Sequence, residues 1–177
     1  MERQEAEALV RALRLRLRNR GRSQASRLRV VGGLRRGKAV VKDVDLLYVI
    51  PDDSPLTLGG LTLADGGSPT LKAVQVVNSG DRRRTFTVCF RGKIRQVDLF
   101  QAYQSELPFA LYHHTGSSTY NIRLRAHAKA RGWKLNQYGL FYRSDGKKVR
   151  GTGRIRSERS LARFLGVAYR APEDREE

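Results

Sequence analysis

The chain is short of thiols, acids and long apolar runs, and each shortage excludes something. Cys89 is the only cysteine among 177 residues. An internal disulfide is therefore impossible, and a thiol-rich metal site goes with it. No stretch reaches the roughly 18 apolar residues of a membrane span, so no membrane partner is expected. The N-terminus carries Glu2, Glu5 and Glu7 and no long apolar run, which argues against a secretory leader. Acids are the most informative shortage: 17 Asp and Glu stand against 35 Lys and Arg, a net charge of +18. An excess that large points to a polyanionic partner, nucleic acid first.

A hydrophobic share of 40% allows one packed domain, or a domain with a small lobe. Ala6, Leu9, Val10, Leu13 and Leu17 recur at steps of three and four, which predicts an amphipathic helix over 4–18. A polar loop follows over 19–23. Arg27 to Val31 reads as a short strand, and Leu34 to Ala39 as one or two helical turns. Val44 to Ile50 is a nearly unbroken apolar run stopped by Pro51, the pattern of a strand buried on both faces. Residues 51–69 read as a long irregular connection. Three more strands are expected over 71–77, 84–91 and 94–100.

The second half reads differently. Helices are expected over 107–114 and 119–131, divided by Thr115-Gly116-Ser117-Ser118. A hairpin is expected around Ser-Asp-Gly-Lys, with Lys134 to Arg143 and Lys147 to Gly151 as its arms. Ser157 is placed to cap a last helix ending at Gly166, and the polar tail from Ala171 is expected to fray. Cys89 and Trp133 read as packing residues, and His127 as structural.

Two features carry chemistry. Asp43-Val44-Asp45 opens the apolar strand, and residues i and i+2 of a strand share a face, roughly 6.5 Å apart. Two carboxylates so placed repel unless a cation lies between them. Asp98 sits in a second apolar strand pattern. Seven of the 17 acids lie in the first seven or last five residues, leaving ten inside. These three are the ones embedded in apolar strands, where a charge is costly. Oxygen ligands on rigid strands suit Mg²⁺; the competing reading pairs each aspartate with an arginine. Upstream, Val31-Gly32-Gly33 leads from a strand into a helical start, where backbone N–H groups favour phosphate oxygens. Arg36 is placed to fork onto such a group.

Taken together, Gly32 to Lys38 with Asp43-Val44-Asp45 resembles the signature of the polymerase-β-like nucleotidyltransferases. Gln96-Val97-Asp98-Leu99-Phe100, Thr115-Gly116-Ser117, Asn121 through Ala128, Leu135-Asn136-Gln137-Tyr138 and Leu165-Gly166 with Tyr169 to Pro172 narrow the resemblance to DNA polymerase family X. It implies an α+β fold: a palm with a mixed sheet and flanking helices over residues 1–104, and a smaller C-terminal α/β lobe over 105–177. It implies that Asp43 and Asp45 hold two Mg²⁺ ions, for which Mn²⁺ can substitute, and that Asp98 holds the catalytic one and helps deprotonate a primer 3′-OH. Gly32, Gly33 and Arg36 meet the incoming triphosphate. Gly116 fits the sugar, Asn121 meets the base or sugar edge, and Arg125 lies along the template. Arg123, Lys129 and Arg131 join Arg125 as candidates for gripping DNA.

The expected partners are gapped or nicked DNA and dNTPs, and the expected state is a monomer. Template-directed gap filling in repair is the implied activity. Template-independent or RNA-directed transfer, or a catalytically inactive basic DNA-binding module, are the alternatives. The compartment is expected to be cytoplasmic, or the virion or nucleus if the source is viral. The chain departs from the family pattern in four places. Gly33 stands where serine is usual, Gln96 where arginine is frequent, and His113-His114 where Tyr-Phe is common. An imidazole at 113 can stack on the nucleotide or hydrogen-bond to it. Only about 30 residues precede the glycine turn, so no N-terminal lyase domain and no lyase activity are expected.

Overall fold

β2 (Val44–Ile50) is the strand around which the rest is built. Its side chains are buried on both faces except at Asp45, as its apolar run requires. The computed structural model describes residues 1–18, 26–56 and 71–175. The loop expected over 19–23, the side chain of Leu17 and residues 57–69 of the expected irregular connection lie outside them.

β2 pairs antiparallel with β1 (Leu28–Val30) and parallel with β5 (Lys93–Tyr103). β5 pairs antiparallel with β4 (Arg83–Phe90), and β4 with β3 (Leu71–Ser79). The sheet is therefore mixed, in the order β1-β2-β5-β4-β3. Helix α1 (Arg3–Arg18) lays Ala6, Leu9, Val10 and Leu13 on one face, against Leu46, Tyr48, Val97 and Leu99. Burying four such side chains is worth several kcal/mol, at about 25 cal/mol per Å².

The opposite face meets helix α3 (Leu107–Thr115). Leu47, Val49 and Ala102 pack on Ala110 there. The other side of α3 turns Phe109 and Tyr112 into a second core, with α4 (Ser118–Ala130), strands β6 (Trp133–Asn136) and β7 (Gly139–Tyr142) and helix α5 (Glu158–Phe164). One helix thus ties the sheet to the C-terminal elements. Trp133 is half-buried against Phe164, in the packing role its sequence context suggests.

Three expectations need correction. The helix after the first strand is a single turn, α2 (Gly32–Arg35), and begins on the glycines; Gly37, at φ +82°, blocks continuation. The arm expected over Lys134 to Arg143 is not one strand: a tight turn at Gln137-Tyr138 divides it into β6 and β7. The expected return around Ser-Asp-Gly-Lys is present: it sets Lys148 beside Phe141, and the Tyr142 N–H donates to the Lys147 carbonyl at 2.8 Å. The tail does not fray as far as Arg175. A 3₁₀ turn (Pro172–Asp174) delivers that side chain to a fully buried position.

Candidate active site

Parallel pairing of β2 and β5 decides the site. Asp45 and Asp98 are register partners, so their side chains leave the same sheet face next to each other. Asp43 lies two residues upstream of Asp45, in the bend that enters β2. Burial is the main cause that pushes the Asp45 carboxyl up to about 7, and the charges of Asp43 and Asp98 add to it. Arg36 and Arg83 oppose the shift but do not cancel it. The cluster is short of positive charge at its centre, and a divalent cation is the group that fits. With the side chains as they stand, no three His, Cys, Asp or Glu among the described residues converge on a single point. Asp98 is held back by other partners: Thr85, Arg83 and Gln96 all donate to it.

The glycine turn presses directly on this cluster. Gly32 has φ +63°, and a Cβ there would sit 2.6 Å from Asp45 Cγ. Only glycine lets the α2 backbone approach the carboxylate so closely. A cavity of about 470 Å³ opens beside it. Gly32, Gly33, Arg36, Asp43 and Asp45 line one wall, and His113, Gly116 and Asn121 the other. Eight of the residues expected to serve metal or nucleotide thus meet in one space; Asp98 does not line it. Asn121 Nδ2 donates to the His113 carbonyl at 2.7 Å. Asn121 Oδ1 and His113 Nδ1 are buried with no hydrogen-bond partner, a costly state that a polar ligand would relieve. Gly116 turns the chain at φ +74° and carries a cis bond to Ser117; a Cβ there would meet Arg36 Nη1 at 3.0 Å.

Residues 110–176 match the family model described as the DNA polymerase beta thumb. The chain is 37% identical over 147 residues to the repair DNA polymerase X of African swine fever virus (isolate Pig/Kenya/KEN-50/1950), covering 82% of this chain and 79% of that one. The chain belongs to DNA polymerase family X. Rat DNA polymerase lambda is 31% identical over 163 residues, 82% of this chain and 28% of that one. The fold is that of Leishmania infantum polymerase beta in its ternary gap complex, with a TM-score of 0.75 at 21% identity, covering 100% of this chain and 71% of that one.

As a family X member the protein is a DNA-directed DNA polymerase. Its two halves are joined by arginines, and for Arg35, Arg82 and Arg175 the sequence alone suggests no such role. Arg35 reaches from α2 to Thr115 Oγ1 and to Glu158 Oε2, the latter at 2.5 Å. Arg36 donates to the Thr115 carbonyl. Glu158 also receives Arg175 at 2.8 Å, and Arg175 stacks on Tyr120 at 4.5 Å. A second joint places the Arg82 guanidinium against Tyr103 and Tyr138, with Glu106 Oε2 accepting at 2.7 Å. The scarcity of internal acids was the available signal: Glu106 and Glu158 are among the ten.

The proposed DNA contacts separate. Arg125 Nε donates to the Asn121 carbonyl at 3.2 Å, one turn from a residue that lines the cavity, but does not line it itself. Arg123 and Lys129 are exposed on α4, away from the cavity lining. Arg131 is exposed too, but folds back 6.0 Å over Trp133.

Proposed function

We propose that this polymerase fills short gaps in DNA by two-metal nucleotidyl transfer, on a palm of residues 1–104 with a lobe of residues 105–177, and that it works as a monomer. The single observation that carries the reading is the side-by-side placement of Asp45 and Asp98 on parallel strands, against a glycine turn that tolerates no side chain. Asp43, Asp45 and Asp98 would hold two Mg²⁺, which supply charge to the attacking and leaving oxygens of an in-line displacement. The primer 3′ oxygen forms its bond to the α-phosphorus, the bond to the bridging oxygen breaks, and pyrophosphate leaves. Asp98 would help to take the 3′-OH proton.

Arg36 and the N–H groups of Gly32 and Gly33 face the triphosphate. His113, Gly116 and Asn121 face sugar and base. Arg125, Arg123, Lys129 and Arg131 serve the DNA backbone, Arg125 on the template side. Relatives named as DNA polymerases give no support to the untemplated or inactive alternatives.

A one-nucleotide gap, single-stranded DNA and Mg²⁺, offered each dNTP in turn, test this. Insertion of the matching nucleotide alone, lost in Asp98→Asn, is the expected result. Extension of the single strand, or no extension of either, would sink the reading.

A further inference from the structure

Asp98 has three donors on its own sheet face. Thr85 Oγ1 and Arg83 Nη2 (3.2 Å) both donate to Oδ1, and Gln96 Nε2 donates to Oδ2 from 3.2 Å. The ladder dictates this. Thr85 faces Asp98 and Arg83 faces Phe100 across β4 and β5, so all five side chains leave the same face. Only Arg83 carries charge. Its side chain is 56% exposed, whereas that of Asp98 is 5% exposed. A carboxylate oxygen has two acceptor sites, and Thr85 with Arg83 fills both at Oδ1. Gln96 stands where the family often places arginine, and here the guanidinium arrives from the neighbouring strand.

We infer that Arg83 is a positioning residue for Asp98, a counter-cation that holds the carboxylate aside until divalent metal is bound. The inference rests on the reading that Asp98 serves metal together with Asp43 and Asp45. Arg83 must leave Oδ1 before Asp98 can turn toward Asp45, because a guanidinium and a metal ion at one carboxylate repel. Departure is cheap: a part-exposed ion pair is worth little. The guanidinium already lies 5.4 Å over the Phe100 ring, a second place to rest. Thr85 and Gln96 are uncharged and can keep their bonds while Arg83 goes.

The test is the metal dependence. Mn²⁺ binding is followed by electron paramagnetic resonance with gapped DNA, matched dNTP and a dideoxy-terminated primer, and Mg²⁺ is titrated in single-turnover insertion. Arg83→Gln is expected to lower the half-saturating metal concentration roughly fivefold in both, the worth of one part-exposed ion pair. Arg83→Lys, which keeps the charge, restores most of the parent value. A midpoint that is unmoved or raised in Arg83→Gln, with Asp98→Asn inactive, overturns the role of Arg83 and leaves the polymerase reading standing. An Asp98→Asn enzyme as active as its parent overturns that reading instead.

Discussion

Two acidic sites in this molecule, one buried and one half-buried, are handled in opposite ways. Glu158, at the joint between sheet and C-terminal elements, lies between two arginines. Asp45, at the cavity, faces two further aspartates, and burial lifts its carboxyl to about 7. The first site is electrostatically closed by the chain itself; the second is left open to something brought from outside. The difference separates a structural acid from a functional one more sharply than burial does.

The comparison breaks first at Asp45→Asn, where the largest effect is expected. Gap filling should fall by roughly 10³-fold or more, because the amide offers one acceptor oxygen and no charge to a cation. Stability should move the other way. In EDTA at pH 8 the variant should be more resistant to urea than the parent, by on the order of 1 kcal/mol, since like-charge repulsion is gone. Adding Mg²⁺ should stabilise the parent and leave the variant unmoved. A variant that unfolds more easily than its parent in EDTA would show that the acids are satisfied internally after all.

Glu158→Gln is the mirror case. It leaves Arg175, 0% exposed, and Arg35 without their shared carboxylate. Breaking such a buried pair costs about 3 kcal/mol, read as a lower urea midpoint. Insertion should slow by roughly tenfold as Arg35 and Arg36 lose their fixed approach to Thr115. The double variant Glu158→Gln/Arg175→Met should recover much of the stability, because no buried charge is then left alone. If the single variant is as stable as its parent, the joint is not held by charge.

The open site was more legible in the sequence than the closed one, for physical reasons. Asp43 and Asp45 are neighbours along one strand, and a charge inside an apolar strand is conspicuous. The partnership of Asp45 with Asp98 depends on β5 inserting between β2 and β4, a non-local event that family resemblance supplied and spacing alone did not. Glu158, Arg35 and Arg175 are far apart in the chain, and no local pattern links them. The tail read as polar and loose because an arginine gives no sign of burial until its carboxylate and its stacked tyrosines are known. The turn missed inside the expected first hairpin arm has a local cause. Ser-Asp-Gly-Lys has strong turn chemistry, but Asn136 Oδ1 accepts from the N–H of Tyr138 and of Gly139. That is an asparagine-led turn written one residue before the loop.

Smaller effects sharpen the contrast at the surface. Lys129 and Arg123 are exposed and carry charge toward solvent, so neither resembles the buried joint. Alanine at either should leave stability within about 0.5 kcal/mol. Each should reduce the slope of log affinity for gapped DNA against log salt by about 0.9, one phosphate contact. An unchanged slope in both would take α4 out of the DNA-facing surface.

Little change at neutral pH is expected at His114, a third kind of ionisable group, half-buried and neither paired nor left charged. It stacks on Phe100 with ring centroids 4.0 Å apart and meets His113 edge-on. Burial pulls its pKa down to about 3, with the charges of His113 and Arg83 assisting, so the folded protein keeps the imidazole neutral from pH 8 to about 4. The unfolded chain takes up its proton near pH 6.5. Between these values the unfolded state binds more protons, so stability falls as pH drops, by up to about 1.4 kcal/mol per unit. Asp45 acts in the opposite sense over part of the range, which makes the difference between variants the quantity to measure. His114→Phe keeps the stack and removes the proton. Its stability should lie within about 1 kcal/mol of the parent at pH 7.5, and its advantage should grow steadily as the buffer is taken from pH 6.5 to 4. Parallel stability curves for the two proteins across that interval would mean that the imidazole can be charged in place, and that the wall of the cavity beside Phe100 is wetter than its packing implies.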